Sequence, residues 1–425
     1  MVDLNEHNAG DLLRAGLDPE SPHPPRVSIA AAIHDGRRRR ASRRLAVAGG
    51  VAVAIAVAVA VPAALAATRN DSAPAGPDPT PPATPHPVVT DTGTPGPTRS
   101  VPPPGGTPGA SYAAPPFATA PAACDVHELA APAGGGPTVV SAGSPDGSVH
   151  YGLRHRTDGT DEVVRWQAGQ PSLPTLPGED PLVVAVNNGG DAVGNSTIAG
   201  RPAAWRLHDG KATLLPGEER AFAKAVNIKG DVAGNRGSND ASGRPIAWRG
   251  GNPPVELPLP SGATGGRALA IDFWGTVFGS VAYGTAEVPY SWDVNGTGAP
   301  LPLPPGSTTA VVTSAREGWA SGFADQSTAH PKPVRWSTLG GIVVVLDGIE
   351  SPAGEVNANG FVLGRATDGR AVLLADDQRI VLPAILDPTA ARPNTPVTLS
   401  DDGRTIVGQA TRPDGSFQAV VWTCH

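Results

Sequence analysis

Residues 185–207 read AVNNGGDAVGNSTIAGRPAAWRL, and forty residues further on 225–250 read AVNIKGDVAGNRGSNDASGRPIAWRG. Self-similarity at a fixed period marks a repeat architecture, and it decides the fold before any local reading begins. The opening of this unit recurs seven times beyond residue 140: SPDGSVHYG from Ser144, NNGGDAVG from Asn187, NIKGDVAG from Asn227, DFWGTVFG from Asp272, SAREGWASG from Ser314, NANGFVLG from Asn357 and SDDGRTIVG from Ser400. A short apolar run follows each opening and ends in Trp166, Trp205, Trp248, Trp292, Trp336, Leu374 and Trp422 in turn. The first five tryptophans are spaced by 39, 43, 44 and 44 residues.

Asn, Asp or Ser followed three residues later by Gly is a type I turn signature, because the short polar side chain bonds the backbone two residues on. Six openings fit it, and the one at Ser314 needs an extra residue. An apolar stretch such as LVVAV precedes the turn; DAVG, a variable loop, RPAAW, a short loop and ATLLP follow it. Four short apolar or β-branched runs in about forty residues, divided by Gly, Pro, Asn and Asp, are four strands. That is the arithmetic of a propeller blade, so the expected fold is all-β, a seven-bladed β-propeller of four-stranded blades. The third-strand tryptophans read as packing residues between blades, since a buried aromatic covers 150–250 Å²; Leu374 fits that role better than a recognition role.

Only TCH follows Trp422, so the seventh unit lacks its fourth strand. The missing piece stands at the other end, where CDVHELAAP from Cys124 resembles the fourth-strand pattern PPVELPLP of 253–260. Pairing an N-terminal strand into the last blade leaves no open sheet edge. The chain's two cysteines, Cys124 and Cys424, then meet, and a disulfide between them fits an oxidising, extracytoplasmic setting.

Before the array the composition changes. The chain holds 53 Gly and 48 Pro with 4% aromatic residues, a balance typical of loop-rich or disordered segments. Sixteen prolines fall within 68–123, which therefore reads as a disordered Pro/Thr/Ala-rich linker able to reach on the order of 100 Å. Residues 45–67, LAVAGGVAVAIAVAVAVPAALAA, carry no charge and match a transmembrane helix. Arg37, Arg38, Arg39, Arg40, Arg43 and Arg44 precede them and predict a cytoplasmic N-terminus with the C-terminal bulk outside. A cleaved signal peptide ending near ALAA is the alternative, although the apolar run exceeds the usual signal length. The expected organisation is thus a cytoplasmic segment 1–44, a membrane helix 45–67, the linker 68–123 and the repeat domain 124–425.

The repeats resemble the HAF-type extracellular repeats of bacterial secreted and surface proteins, in which IN..G.VVG precedes HAF.W. The matching residues are AVNNGGDAVG with PAAW, AVNIKGDVAG with PIAW, and EVNANGFVLG. The namesake His is replaced here by Pro or another residue, and the Phe by Ala, Ser, Arg or Val. The resemblance covers roughly 140–425, and the whole layout is similar to that of actinobacterial single-pass membrane proteins. It implies fold and location rather than an activity.

Chemistry is sparse by motif. No HExxH, CxxC, Walker loop, dinucleotide fingerprint or G-x-S-x-G elbow occurs, so no catalytic, cofactor or metal residue is assigned. His150, His155, His208 and His330 lie near expected loops and read as solvent-facing. Ser144, Asn187, Asn227, Asp272, Ser314, Asn357 and Ser400 would ring one face, where a cation or sugar could be held, but each is already accounted for as a turn former. The second-to-third-strand loops on the opposite face, such as 235–244 and 323–332, vary in length and sequence and make the better binding surface. The repeat domain carries a net charge of −8 of the chain's −7, which disfavours nucleic acid and anionic wall polymers as partners. The leading expectation is a non-catalytic scaffold, anchored in the cell membrane, that binds a protein or glycan outside the cell. The alternatives are an extracytoplasmic lyase or hydrolase with its site at the central channel, and a sensor signalling through 1–44.

Overall fold

A computed structural model describes residues 117–425 apart from 157, 218–219, 239–241, 326–329, 351–352, 388 and 391–392. The apolar stretch 45–67, the arginines before it and most of the linker lie outside the described residues. Among the described residues no helix is long and apolar enough to cross a membrane.

The first strand, β1 (Cys124–Glu128), stands apart from the blade that follows it in sequence. The first blade comprises β2 (Thr138–Gly143), β3 (Val149–His155), β4 (Asp161–Gln167) and β5 (Gln170–Ser172); the second comprises β6 (Glu179–Val186), β7 (Ala192–Ile198), β8 (Arg201–His208) and β9 (Lys211–Leu214). The third is β10 (Ala221–Val226), β11 (Val232–Arg236), β12 (Arg244–Trp248) and β13 (Val255–Glu256), and the fourth β14 (Gly265–Ile271), β15 (Val277–Tyr283), β16 (Ala286–Trp292) and β17 (Gly298–Pro300). The fifth is β18 (Ala310–Arg316), β19 (Trp319–Ala324), β20 (Lys332–Ser337) and β21 (Ile342–Val345). The sixth holds β22 (Val362–Arg365), β23 (Ala371–Ala375) and β24 (Gln378–Val381), and the seventh β25 (Asn394–Leu399), β26 (Thr405–Thr411) and β27 (Phe417–Cys424). Each blade is an antiparallel meander in sequence order, so the expected seven-bladed propeller is what forms. The sixth blade departs from the four-strand count, its inner strand being reduced to one bridge, Val356 to Val362.

The ring closes as the sequence pattern predicts. β1 pairs antiparallel with β27 to complete the seventh blade, and Cys124 lies opposite Cys424 in a disulfide. Residues just before 124 are tied to the ring: Ala118 N donates to Asn359 Oδ1 at 3.1 Å, and Ala122 N donates to the His425 carbonyl at 2.7 Å.

One irregularity recurs in the inner strands and explains the second glycine of the repeat. Each four-stranded blade has a register shift at the same place, as between Val183 and Ala185, Ala223 and Ala225, or Ala268 and Ala270. This is a β-bulge, two residues facing one. The glycine of the second strand lies opposite its first residue, and a Cβ on Gly152, Gly279 or Gly322 would sit 1.9 Å from an inner-strand carbonyl oxygen. Only glycine lets the strands close there.

The core lies between blades rather than within them. Among the described residues, hydrophobic clusters are shared by consecutive blades, for example Val139, Tyr151 and Leu153 of the first with Val183, Trp205 and Leu207 of the second. A cluster of Val407 and Ala419 with Val140, Val164 and Trp166 seals the seventh blade to the first.

Candidate functional site

The polar turns are built around side chains that face inward. Asn187 Oδ1 accepts from Gly189 N at 2.9 Å and Asp191 N at 3.0 Å, which fixes its hairpin; its Nδ2 then donates to the Asn227 carbonyl of the next blade at 2.7 Å. Asn227 repeats the pattern, donating to the Asp272 carbonyl at 3.0 Å, and Asn357 donates to the Ser400 carbonyl at 3.0 Å. Ser400 and Ser144 accept from the backbone of Thr405 and Val149, and Asp401 N donates to the Pro145 carbonyl at 2.6 Å. Ser144, Asn187, Asn227, Asp272, Asn357 and Ser400 are all buried. The Asn side chains join blade to blade, whereas those of Ser144, Asp272 and Ser400 close their own hairpins, so each is satisfied as buried polar groups require.

The fifth blade breaks the pattern, and the position expected at Ser314 moves. Ser314 lies inside β18, paired with Ser321, and the hairpin residue is Arg316. The turn is one residue shorter, with Glu317 (φ 37°) and Gly318 (φ 90°) both left-handed, the backbone that a two-residue hairpin demands. From there Arg316 reaches past the sixth blade to the seventh-blade hairpin. Its Nη2 donates to Asp401 Oδ2 at 2.7 Å and its Nε to Asp401 Oδ1 at 3.1 Å, a two-pronged ion pair at the mouth of the channel.

Three more carboxyls stand around this pair. Glu317 Oε1 is 3.6 Å from Arg316 Nη1, and burial pushes its carboxyl up to about 7, with Arg316 opposing and Asp272 and Asp401 adding to the shift. Glu355 accepts from Leu399 N at 3.2 Å, and burial raises it to about 8 against that bond and Arg316. Asp272 is raised by burial to about 6 despite backbone bonds from Thr276, Gly275 and Trp274. Further along the inner strands, burial and then Arg267 lower the Lys224 amine to about 8. The mouth therefore holds carboxyls able to exchange protons near neutrality, a chemistry that acid–base work and cation binding both use. Among the described residues no group of His, Cys, Asp and Glu is placed to hold a metal ion.

A second concavity opens between the first and second blades. It is a cleft of about 500 Å³ with Tyr151, Arg165, Gln167, Asn188 and Asp209 among its polar walls and Leu173, Pro174 and Leu207 among its apolar ones.

The tryptophans are buried at the blade interfaces. Trp166, Trp248, Trp292, Trp336 and Trp422 each donate an indole N–H to a backbone carbonyl of the preceding connection, for instance Trp336 to Pro302 at 2.7 Å and Trp292 to Pro258 at 2.8 Å. Trp205 differs: it pairs with Gly194, while Leu207 opposite Ala192 takes the register that Trp336 has opposite Ala320. Its indole N–H has no partner among the described residues. Leu374, opposite Val362, stands in the tryptophan register of the sixth blade.

Of the histidines, His330 is exposed and His208 largely so, with its Nδ1 on Asp191, whereas His155 bonds Asp161 at 2.6 Å. His150 corrects the expectation: it is buried within β3, and burial lowers its imidazole to about 4. Sequence reasoning also missed Arg316, Glu317 and Glu355. The one-residue misfit of SAREGWASG marked the first two, and Glu355 stands at a bulge position held by Ala, Ser or Thr in other repeats.

No family model and no curated protein matches the chain. Solved structures do. Selenomethionine-substituted virginiamycin B lyase from Staphylococcus aureus is 13% identical, with a TM-score of 0.48 over 71% of this chain and 99% of that one. The β-propeller domain of the Trilobed protease from Pyrococcus furiosus is 10% identical, TM-score 0.48, over 67% and 93%. A puromycin-hydrolyzing peptidase of Mycobacterium tuberculosis is 14% identical, TM-score 0.47, over 66% and 50%. At such identities the likeness is one of fold.

Proposed function

We propose that the chain is a single-pass membrane protein whose propeller stands outside the cytoplasm as a non-catalytic binding scaffold for a protein or glycan. The observation that carries this reading is the contrast between the two faces of the ring. On one face the Asn, Asp and Ser side chains of six hairpins are consumed in bonds within their own turns or to the next blade. On the other, the second-to-third-strand connections run from two residues between Tyr283 and Ala286 to seven between Arg236 and Arg244. Unequal polar loops on a rigid scaffold are where recognition is built. The apolar stretch 45–67 behind six arginines, the proline-rich 68–123 and the extracellular repeat resemblance support the location.

Cross-linking of the full chain in cells, with mass spectrometry of what is captured, tests the proposal. A partner retained by the intact chain and lost when 237–243 is replaced by a two-residue turn supports it. A partner that ignores every such loop replacement overturns it.

A second reading, a lyase or hydrolase acting at the channel mouth, is favoured by Glu317 and Glu355 beside Arg316. Its mark would be a turnover abolished by both Glu317→Gln and Glu355→Gln and untouched by the loop replacement.

A further inference from the structure

Each blade ends in an outer strand whose far edge pairs with no further strand among the described residues, and an exposed edge is a template for another chain. Six of the seven are blunted. β5 (QPS) and β17 (GAP) contain Pro171 and Pro300, β13 is two residues long, and β9, β24 and β1 carry Lys211, Arg379, and Asp125 with Glu128. β21 alone has neither charge nor proline: it reads IVVV, with Ile342 56%, Val344 45% and Val345 37% exposed.

The ladder decides which backbone groups are free. Leu346 N donates inward to the Pro333 carbonyl at 2.8 Å, so by strand alternation the amides and carbonyls of Ile342 and Val344 also point inward. Those of Val343 and Val345 point out. An antiparallel copy of β21 related by a two-fold axis at Val344 sets Val343 against Val345 of the partner copy in both directions, which makes about four backbone hydrogen bonds. Val344 then meets its own counterpart, and Ile342 meets Leu346, so aliphatic side chains face aliphatic ones throughout. Asp347 falls opposite Gly341, where the chain turns back through 338–341 to β20, so no like charges are opposed along the paired residues. For a domain of net charge −8, this uncharged strip is where two copies approach without repulsion.

We propose that β21 is the seam of a two-fold homodimer in which the fifth blades of two copies pair edge to edge, antiparallel about Val344, into one continuous sheet. The pairing is isologous and closes on itself, so it yields dimers rather than fibres. It is independent of what the loops bind.

The test uses the full chain purified in a mild detergent. The native cysteines are joined to each other, so Val344→Cys adds one free thiol. In a non-hydrogen-bonded antiparallel pair the facing Cα atoms are about 4.5 Å apart, within reach of a disulfide. Mild oxidation of Val344→Cys is expected to give a reducible covalent dimer in high yield, and Val343→Cys little. Sedimentation is expected to show a concentration-dependent dimer for the wild type and a monomer for Val344→Lys, with the urea midpoint of unfolding unchanged. A wild type that stays monomeric, a Val344→Lys variant that still dimerises, or cross-linking through Val343→Cys instead would each overturn the proposal.

Discussion

Raising the pH from 6.5 to 8 should weaken the propeller, in contrast to the usual acid lability of proteins, because two carboxyls at the channel mouth are folded with their protons on. A carboxyl whose folded pKa is raised contributes stability that is complete below its unfolded pKa and is lost as pH climbs through the folded value. Glu317, at about 7, and Glu355, at about 8, ionise in the folded state within this window, whereas both are already ionised in the unfolded chain. At 1.36 kcal/mol per pH unit for each proton held only by the folded state, the two together remove about 2 kcal/mol between pH 6.5 and 8. Other displaced groups act elsewhere: His150, near 4 when folded, adds stability as pH rises only up to its unfolded value near 6.5. Lys224, near 8 when folded, adds stability only above about 8. Asp272, near 6, contributes a small loss in the same direction as the two glutamates. For a domain of this size about 2 kcal/mol corresponds to roughly 3 °C in Tm. Urea unfolding of the oxidised protein at a series of pH values, with the double variant Glu317→Gln, Glu355→Gln alongside, measures it. The wild type should decline across the window while the double variant stays flat. A wild-type midpoint that holds or rises from pH 6.5 to 8, or a double variant that declines in parallel, would refute the reasoning.

Replacing Cys124 and Cys424 by Ser opens a loop spanning 300 residues and, on the chain-entropy account, should remove about 6 kcal/mol, read as a drop in the urea midpoint. Gly279→Ala drives a Cβ to 1.9 Å from the Arg267 carbonyl and should cost more than about 3 kcal/mol or prevent folding. Gly284→Ala, at φ +64° with nothing within 4 Å, should cost only about 1 kcal/mol in the same assay. Trp336→Phe strands the Pro302 carbonyl and should cost about 1–3 kcal/mol beyond the loss of ring volume. Trp205→Phe, whose indole N–H bonds nothing among the described residues, should lack that increment. Equal losses at the two tryptophans would contradict the register difference between them.

Repetition is what made the fold readable. The turn, the second glycine and the tryptophan obey local rules that are written afresh in each copy, so blade number and strand order could be inferred from spacing, and the Cys124 to Cys424 closure from the fourth strand missing after Trp422 and the matching pattern at Cys124. Trp205 shows where spacing falls short. It lies 39 residues after Trp166 and looked equivalent to it, yet a strand shifted by two residues keeps the same face toward the core, so Leu207 fills the shared register and the indole sits where its N–H finds no carbonyl. The inner bulge was hidden for a related reason: an extra residue in a strand changes pairing without disturbing the apolar pattern that periodicity detects.

The channel mouth was hidden for a different reason, since its residues come from four hairpins that no local pattern connects. Asp272, Arg316, Glu355 and Asp401 approach one another only because the ring brings successive hairpins to one axis, and Arg316 can span to Asp401 only because its own turn is a residue short. A departure from the repeat is therefore the most informative signal such a sequence carries. Where six hairpins spend an Asn, Asp or Ser on closing the turn, and the Asn residues also on bonding the next blade, the fifth substitutes Arg316 and Glu317 and takes its link to the seventh from an ion pair. Glu355 departs in the same way, placing a carboxyl where other copies hold a small side chain, with burial holding it near a pKa of 8. Retaining such groups runs against stability at neutral pH, a cost that the second reading, chemistry at the channel mouth, would account for and packing alone does not.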